Sequence, residues 1–378
     1  MFRRTHPTPL FIETASGSIT IHGNRIQAVD ALSPPPQAHR IEQKTGYLYP
    51  GLINSHDHLE FNLFPRLGSP PYPNSYEWGL EITQRKRSPV IDPVLAVPLP
   101  VRLYWGALKN VLSGVTTVVH HGEYHTEFNR PDFPVEVFAP YGWAHSLKFE
   151  TNVEAKYRAT PPEVPFFIHL AEGTDAETAA ELVQLDQLGA LGKNTVIIHG
   201  INLSENDIRT LQMNGRGLVW CPASNQFLFG QTAPIAALRA AGVPLALGSD
   251  STLSGSPTLL DELRWAQQLS GWTETDLLDL VTTAPATLLC RPELGRFAPD
   301  NPANVLLTRA PLLDCMPHDI CLLIRNGQPV YGDPEFAELF SGKISRFTIH
   351  GVEKILQGDM KKMLRKIDVP LTLPVKVC

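Results

Sequence analysis

Tyr49-Pro50-Gly51-Leu52-Ile53-Asn54-Ser55-His56-Asp57-His58-Leu59 is an apolar run that ends in two histidines separated by one residue. On a β-strand, residues i and i+2 point to the same face, so His56 and His58 enter one pocket together. Two imidazoles held that close by rigid backbone make half of a metal site. In a chain with 13 histidines the pair alone is weak evidence; a metal centre needs further ligands from the ends of other strands.

From about residue 47 to 290, strand-like runs alternate with helical ones. The candidate strands are 47–58, 115–120, 135–139, 143–147, 165–170, 195–199, 217–221 and 243–249, most of them continuously apolar, as parallel strands covered on both faces are. Helical spacing runs over 175–191, 234–241, 257–269 and 273–289, and Ser204-Glu205-Asn206-Asp207 has the form of a helix N-terminus. Eight strands with helices between them predict an α/β protein built as a (β/α)8 TIM barrel. Only about forty residues lie between 123 and 165. Two strands must fit there, so at least one helix is expected to be short or missing.

The flanks read differently. Ser18-Ile19-Thr20-Ile21 and Arg25-Ile26-Gln27-Ala28-Val29 bracket a turn at Gly23-Asn24, and Asn326-Gly327 follows the apolar run Ile320-Cys321-Leu322-Leu323-Ile324. The N-terminal segment has too few residues for a core of its own, so it is expected to pair with the C-terminal strands in one small β-sandwich. The predicted division is 1–46 as the N-terminal part of the sandwich, 47–295 as the metal-dependent barrel, and 296–378 as its C-terminal part and tail. Residues 351–366, partly helical and basic at their end, read as a solvated surface element.

The other strand ends supply ligand types. His169 ends the fifth strand, His199 the sixth and Asp250 the eighth, so with His56 and His58 they converge on the C-terminal face of a barrel. Imidazoles and a carboxylate without thiolate suit Zn²⁺, with Fe²⁺ or Mn²⁺ as alternatives. Glu172 follows His169 by three residues. In a continuing strand it would face away, so it is expected past the strand end, turned over the site. There a carboxylate can take a proton from a metal-bound water and hand it to a leaving group. Candidate substrate contacts are His121, His145, Glu60 and Trp143, the last by stacking on a planar ring; His120, His125 and Asn62 lie nearby. Asn225 is expected to order the loop after the seventh strand. The Pro- and Gly-rich stretch Phe64 to Tyr76 is either a lid or an Ω-loop.

Five motifs occur in order: Pro-Gly-Leu-Ile-Asn-Ser-His-Asp-His (50–58), Ile-His-Leu-Ala-Glu (168–172), His-Gly (199–200), Cys-Pro-Ala-Ser-Asn (221–225) and Gly-Ser-Asp-Ser (248–251). Together they resemble the metal-dependent amidohydrolase superfamily, in its cytosine deaminase, triazine hydrolase and adenosylhomocysteine deaminase branch. The resemblance runs from about residue 18 to 332. It implies one metal held by His56, His58, His169 and Asp250, with His199 bonding the attacking water or the oxyanion, Glu172 as proton shuttle and Asp250 also as base. Binuclear relatives add a carboxylated lysine and a ligating sixth-strand histidine, roles open to Lys148 and His199. The implied activity is hydrolysis of a carbon–nitrogen bond by metal-activated hydroxide, foremost deamination of a heterocycle. A cyclic amide hydrolase and a non-catalytic barrel scaffold are the alternatives. Thiolate-ligated zinc deaminases carry H-x-E with P-C-x-x-C, a pattern absent from this sequence.

Composition narrows the partners. A net charge of −6 and a pI near 6.1 argue against nucleic acid and anionic membrane, both of which reward a basic surface. The five cysteines show no C-x-x-C spacing, which favours a reducing compartment. No apolar segment follows the basic Met1–Pro7, so a cytoplasmic location is expected. The expected partner is a small-molecule substrate. A homo-oligomer is what the resemblance implies.

Overall fold

The computed structural model describes residues 8–31, 33–84 and 88–377; the basic Met1–Pro7 and Cys378 lie outside the described residues. Strands β1 (Leu10–Thr14), β2 (Gly17–His22), β3 (Arg25–Val29) and β4 (His39–Gln43) form one sheet in the order β3-β2-β1-β4. The β2–β3 hairpin turns at Gly23-Asn24, where Gly23 takes a φ of 63°.

What the sequence reads as a single strand, 47–58, is two. β5 (Tyr47–Pro50) pairs antiparallel with a C-terminal strand, whereas β6 (Leu52–Asp57) starts a parallel sheet. The parallel strands continue as β7 (Val115–His120), β8 (Glu136–Val137), β9 (Gly142–Ala144), β10 (Phe166–Leu170), β11 (Thr195–His199), β12 (Gly217–Trp220) and β13 (Leu245–Leu247). They form two sheets, β6-β7-β8 and β9-β10-β11-β12-β13, all paired in parallel. The chain after β13 returns to β6: the amides of Ser249 and Asp250 both donate to His56 O at 3.0 Å. Gly248 permits this approach, since a Cβ there would lie 2.6 Å from His56 Cβ. The crowded region after residue 123 is indeed abbreviated. β8 has two residues and β9 three, with no helix and no ladder bond between them among the described residues.

Four helices bear on the site: α1 (Ser75–Gln84), α2 (Leu99–Val111), α3 (Pro222–Phe229) and α4 (Leu259–Ser270). α4 begins with a reciprocal Thr258–Asp261 capping box, and Ser204 and Asp207 form another at the predicted helix start. The predicted 175–191 helix is split into Ala176–Ala179 and Glu181–Gln187. The break lets Glu181 turn inward to accept hydrogen bonds from Tyr76 Oη and from the Ala171 amide at 2.6 Å.

The C-terminal strands β14 (Val305–Thr308), β15 (Ile320–Arg325), β16 (Gln328–Gly332), β17 (Ile344–Ile349), β18 (Val352–Gln357) and β19 (Val375–Val377) join β5 in a seven-stranded sheet. The N-terminal sheet does not interleave with it. The two share one apolar cluster instead, with Ile12, Ile19 and Ile26 against Val305, Leu307 and Ile324. Residues 351–366 depart from a purely solvated element. β18 extends the sheet, and the buried Lys354 Nζ donates to Asp333 Oδ1 at 2.6 Å and Ile320 O at 2.8 Å. Among the described residues no helix is long and apolar enough to cross a membrane.

Candidate active site

β6 delivers His56 and His58 to the end of the parallel sheets, β10 delivers His169, and the segment after β13 delivers Asp250. His56 Nε2 lies 3.3 Å from His169 Nε2 and 3.7 Å from Asp250 Oδ1; His58 Nε2 lies 3.8 Å from the same oxygen. His56, His169 and His199 offer three ligand atoms within 4.8 Å of one another, and so do His56, His58 and Asp250. Burial, reinforced by the neighbouring rings, holds the His56 and His169 imidazoles well below their ordinary pKa, so both rings are uncharged. His169 Nδ1 donates to His145 O at 2.8 Å, which leaves Nε2 as the lone-pair nitrogen. Bare imidazole nitrogens and a carboxylate oxygen converging in a buried site are the donor set that a zinc-type divalent cation takes. These residues fit such an ion.

Three residues of the site sit in left-handed backbone: Ala171 at φ 52°, His199 at φ 72° and Asp250 at φ 51°. Non-glycine residues there carry roughly 1–3 kcal/mol of strain each, held by the surrounding fold. Ala171 produces the turn that sequence spacing demands of Glu172. Glu172 Oε1 comes to 3.4 Å from His199 Nε2, and its backbone carbonyl accepts from the Ser75 amide at 3.0 Å. Burial raises the Glu172 pKa against the opposing pull of His199, which favours a carboxyl able to carry a proton. Burial pushes Asp250 upward too, but His58, His199 and the hydroxyls of Ser254 (2.7 Å) and Ser224 (2.9 Å) outweigh it and hold the carboxylate below its usual range.

Asn225, expected only to order a loop, does more. On α3 its Oδ1 accepts from His199 Nδ1 at 2.9 Å, leaving Nε2 directed at Glu172. Asn225→Ala is expected to retain bound metal while lowering kcat about 10–100-fold, the usual cost of losing a partner that orients a functional imidazole; steady-state kinetics with a zinc assay on the same sample checks it.

A second network lies behind the ligands. Asp57, between His56 and His58, receives Lys109 Nζ at 3.1 Å, Asn110 Nδ2 at 2.7 Å and Asn62 Nδ2 at 2.8 Å. Lys109 also reaches Ser249 Oγ at 3.2 Å, so one buried ion pair links β6, α2 and the Asp250 turn. Lys109→Met would leave the Asp57 carboxylate buried without its cation. The expected loss is about 3–5 kcal/mol, read by chemical denaturation.

A cavity of about 370 Å³ opens onto His58, His169, Glu172, His199 and Asp250. Of the four expected substrate contacts only His145 lines it. His121 is sealed behind the ligands, with Nε2 at 3.1 Å from Ala144 O and its ring centroid 4.2 Å from that of His169. Trp143 is kept away by His121, 5.5 Å from it between centroids, and packs under Lys156 Nζ at 4.4 Å. Glu60 turns aside to His120 Nδ1, 3.8 Å away. Lys148 is exposed and pairs with Glu177 at 2.7 Å, so it does not enter the cluster. Sequence reasoning missed the cavity's apolar walls, Trp78 and Ile82 on α1 with Phe61, Phe149 and Leu253. A larger cavity of about 860 Å³ beside residues 63–66 holds none of the cluster. Convergent titratable groups mark a functional cavity better than size does.

Parallel strands whose ends gather a buried histidine–carboxylate cluster beside a buried glutamate make an α/β protein with a candidate metal centre. Residues 166–352 match the Amidohydrolase family. The 8-oxoguanine deaminase of Pseudomonas aeruginosa is 33% identical over 160 residues, which covers 38% of this chain and 36% of that enzyme. The 5-methylthioadenosine/S-adenosylhomocysteine deaminase of Pyrococcus furiosus is 26% identical over 329 residues, covering 70% of this chain and 72% of that one. Among solved structures, a triazine hydrolase variant superposes with a TM-score of 0.69 at 17% identity, over 85% of this chain and 94% of that one. A zinc complex of an atrazine chlorohydrolase from Arthrobacter aurescens gives 0.68 at 18%, over 83% and 90%. Over residues 166–352 the chain is thus similar to the Amidohydrolase family, and over longer stretches to the deaminases named above, while the triazine hydrolase structures share its fold.

Proposed function

We propose that this chain is a metal-dependent hydrolase of carbon–nitrogen bonds, foremost an aminohydrolase of a small heterocyclic substrate. The observation that carries the proposal is Glu172: a buried carboxyl of raised pKa, 3.4 Å from His199 Nε2, sharing one cavity with His58, His169 and Asp250. In this reading β6 to β13 form one eight-stranded barrel over residues 47–295, supported by the return of the Ser249 and Asp250 amides to His56 O. Segments 1–46 and 296–378 form the flanking sandwich, supported by their shared apolar cluster.

His56, His58, His169 and Asp250 would hold one divalent metal, zinc foremost. When bound, it supplies the Lewis acidity that brings deprotonation of water into the neutral range. Asp250, held ionised, accepts the proton of the attacking water. His199 Nε2 faces the position where negative charge develops on oxygen. Glu172 carries the proton to the leaving nitrogen. A C–O bond forms, the C–N bond breaks, and the amine plus water gives a ring carbonyl and ammonia. The grouping of His56, His169 and His199 would also suit a binuclear centre. We favour one metal because Asn225 and Glu172 already face the two nitrogens of His199 and Lys148 is exposed. The acidic charge of −6 supports an enzyme of small molecules over a nucleic-acid binder.

The test is zinc content per chain measured beside ammonia release from aminopurines, aminopyrimidines, pterins and aminotriazines. One zinc with ammonia from any ring is the expected result. Two metals without ammonia would transfer the reading to cyclic amide hydrolysis, and no metal after reconstitution would leave only a scaffold.

A further inference from the structure

Glu262 on α4 is fully buried and lies outside the cavity that holds the cluster. Burial pushes its carboxyl up to about 8, against the opposing pull of Ala223, Ser256 and Lys109, so the place is an unfavourable one for an acid. Each of its oxygens is engaged by a backbone amide: Oε2 accepts from Ala223 N at 3.0 Å and Oε1 from Ser256 N at 2.9 Å. The Ala223 amide belongs to the first turn of α3. That helix has no cap of its own, since Cys221 at its N-cap makes no side-chain bond and Pro222 carries no N–H. Glu262 therefore caps α3 from a neighbouring helix. The Ser256 amide closes the turn that begins at Asp250. This turn is wound on itself: Gly255 N donates to Ser251 O at 2.7 Å, and a Cβ at Gly255 would lie 2.1 Å from Ser249 O.

The neighbours of these two amides are the residues that address the site. Ser224 follows Ala223, and its hydroxyl lies 2.9 Å from Asp250 Oδ2. Ser254, just before Gly255, lies 2.7 Å from the same oxygen and 3.0 Å from the Ser224 hydroxyl. Asn225, next on α3, accepts from His199 Nδ1. Resting on the roles proposed for Asp250 and His199, we infer that Glu262 is a positioning residue for hydrolysis: it ties the first turn of α3 to the end of the Asp250 turn, and so keeps Ser224 and Ser254 on Asp250 and Asn225 on His199. It bonds none of the proposed metal ligands and acts only through those three side chains. An apolar residue would suit the burial better but would leave both amides without an acceptor. Glutamine is the discriminating change, because its single carbonyl oxygen serves one amide while its NH2 group meets the other donor to donor.

The experiment compares the full chain with Glu262→Gln, Ser224→Ala and the double variant, loaded with zinc for kinetics and with Co²⁺ for absorption spectroscopy. The visible bands of bound Co²⁺ report ligand geometry whether or not a substrate turns over. Glu262→Gln is expected to keep its metal, to shift the cobalt bands, and to lower kcat about 10–100-fold with KM within about twofold of wild type. Ser224→Ala should shift the bands and lower kcat in the same direction. The double variant should fall no more than about twofold below Glu262→Gln, because both changes break one path. Fully multiplying effects, or wild-type bands and kcat in Glu262→Gln, overturn the inference and leave Glu262 as a cap that only stabilises the fold. Should Glu262→Gln not fold, Glu262→Asp, with both oxygens on a stem one carbon shorter, takes its place with the same expected pattern. Shifted bands in that pattern without ammonia from any ring uphold the positioning role and overturn the aminohydrolase reading instead. A chain that takes up no metal overturns both.

Discussion

Glu172→Gln is expected to lower kcat by about 10²–10⁴-fold, the range of a general acid–base group, while zinc content stays at the wild-type level. The amide matches the carboxyl in shape, but it carries no transferable proton. Glu172 belongs to neither ligand grouping, and its Oε1 is 3.4 Å from His199 Nε2. Metal should therefore remain while proton delivery fails. A drop in zinc equal to the loss of turnover would make Glu172 a ligand and remove it as the shuttle. KM should change far less than kcat, because the proton moves only as the bond breaks.

His58→Ala should do the opposite: zinc and activity go together. The ring shares Asp250 Oδ1 with His56 at 3.8 and 3.7 Å, so its removal opens the ligand set on one side. Thermal unfolding gives an independent reading. A metal that binds only the folded chain stabilises it by mass action, by roughly 4 kcal/mol at a thousandfold excess over Kd. Chelator should lower Tm in wild type and in Glu172→Gln, yet leave His58→Ala nearly unmoved. A chelator-sensitive Tm in His58→Ala would place the metal elsewhere.

How far these groups were legible depends on which element carries them. His56, His58, His169, His199 and Asp250 terminate apolar runs, and the strand period places such residues at the sheet ends without knowledge of packing. The absence of a helix between β8 and β9 followed from counting residues between fixed strands; the expected strands 135–139 and 143–147 are shorter than read, at two and three residues. Trp78 and Phe149 could not be read this way, because α1 and the loop after β9 reach the cavity only through the fold of their connections. Lys109 and Asn110 interrupt an otherwise apolar face of α2. That interruption was the one signal of a buried polar network, but its partner Asp57 was hidden between two more conspicuous histidines. His121 and Trp143 were placed at the cavity by proximity in sequence, whereas the packing of His121 against His169 fills that space with protein. Lys354 was read with its basic neighbours; the alternation of β18 turns it inward to Asp333.

The left-handed turns at Ala171, His199 and Asp250 carry an evolutionary implication. Glycine's backbone is more comfortable at each, and at position 171, where no side chain takes part in the chemistry, only a buried methyl in the apolar core argues against it. An Ala171→Gly chain would shed strain and also widen the arc through which Glu172 can swing. Random drift towards a hardier molecule would thus pass through a slower one. Selection for turnover, not for folding, would be what keeps a side chain on that turn.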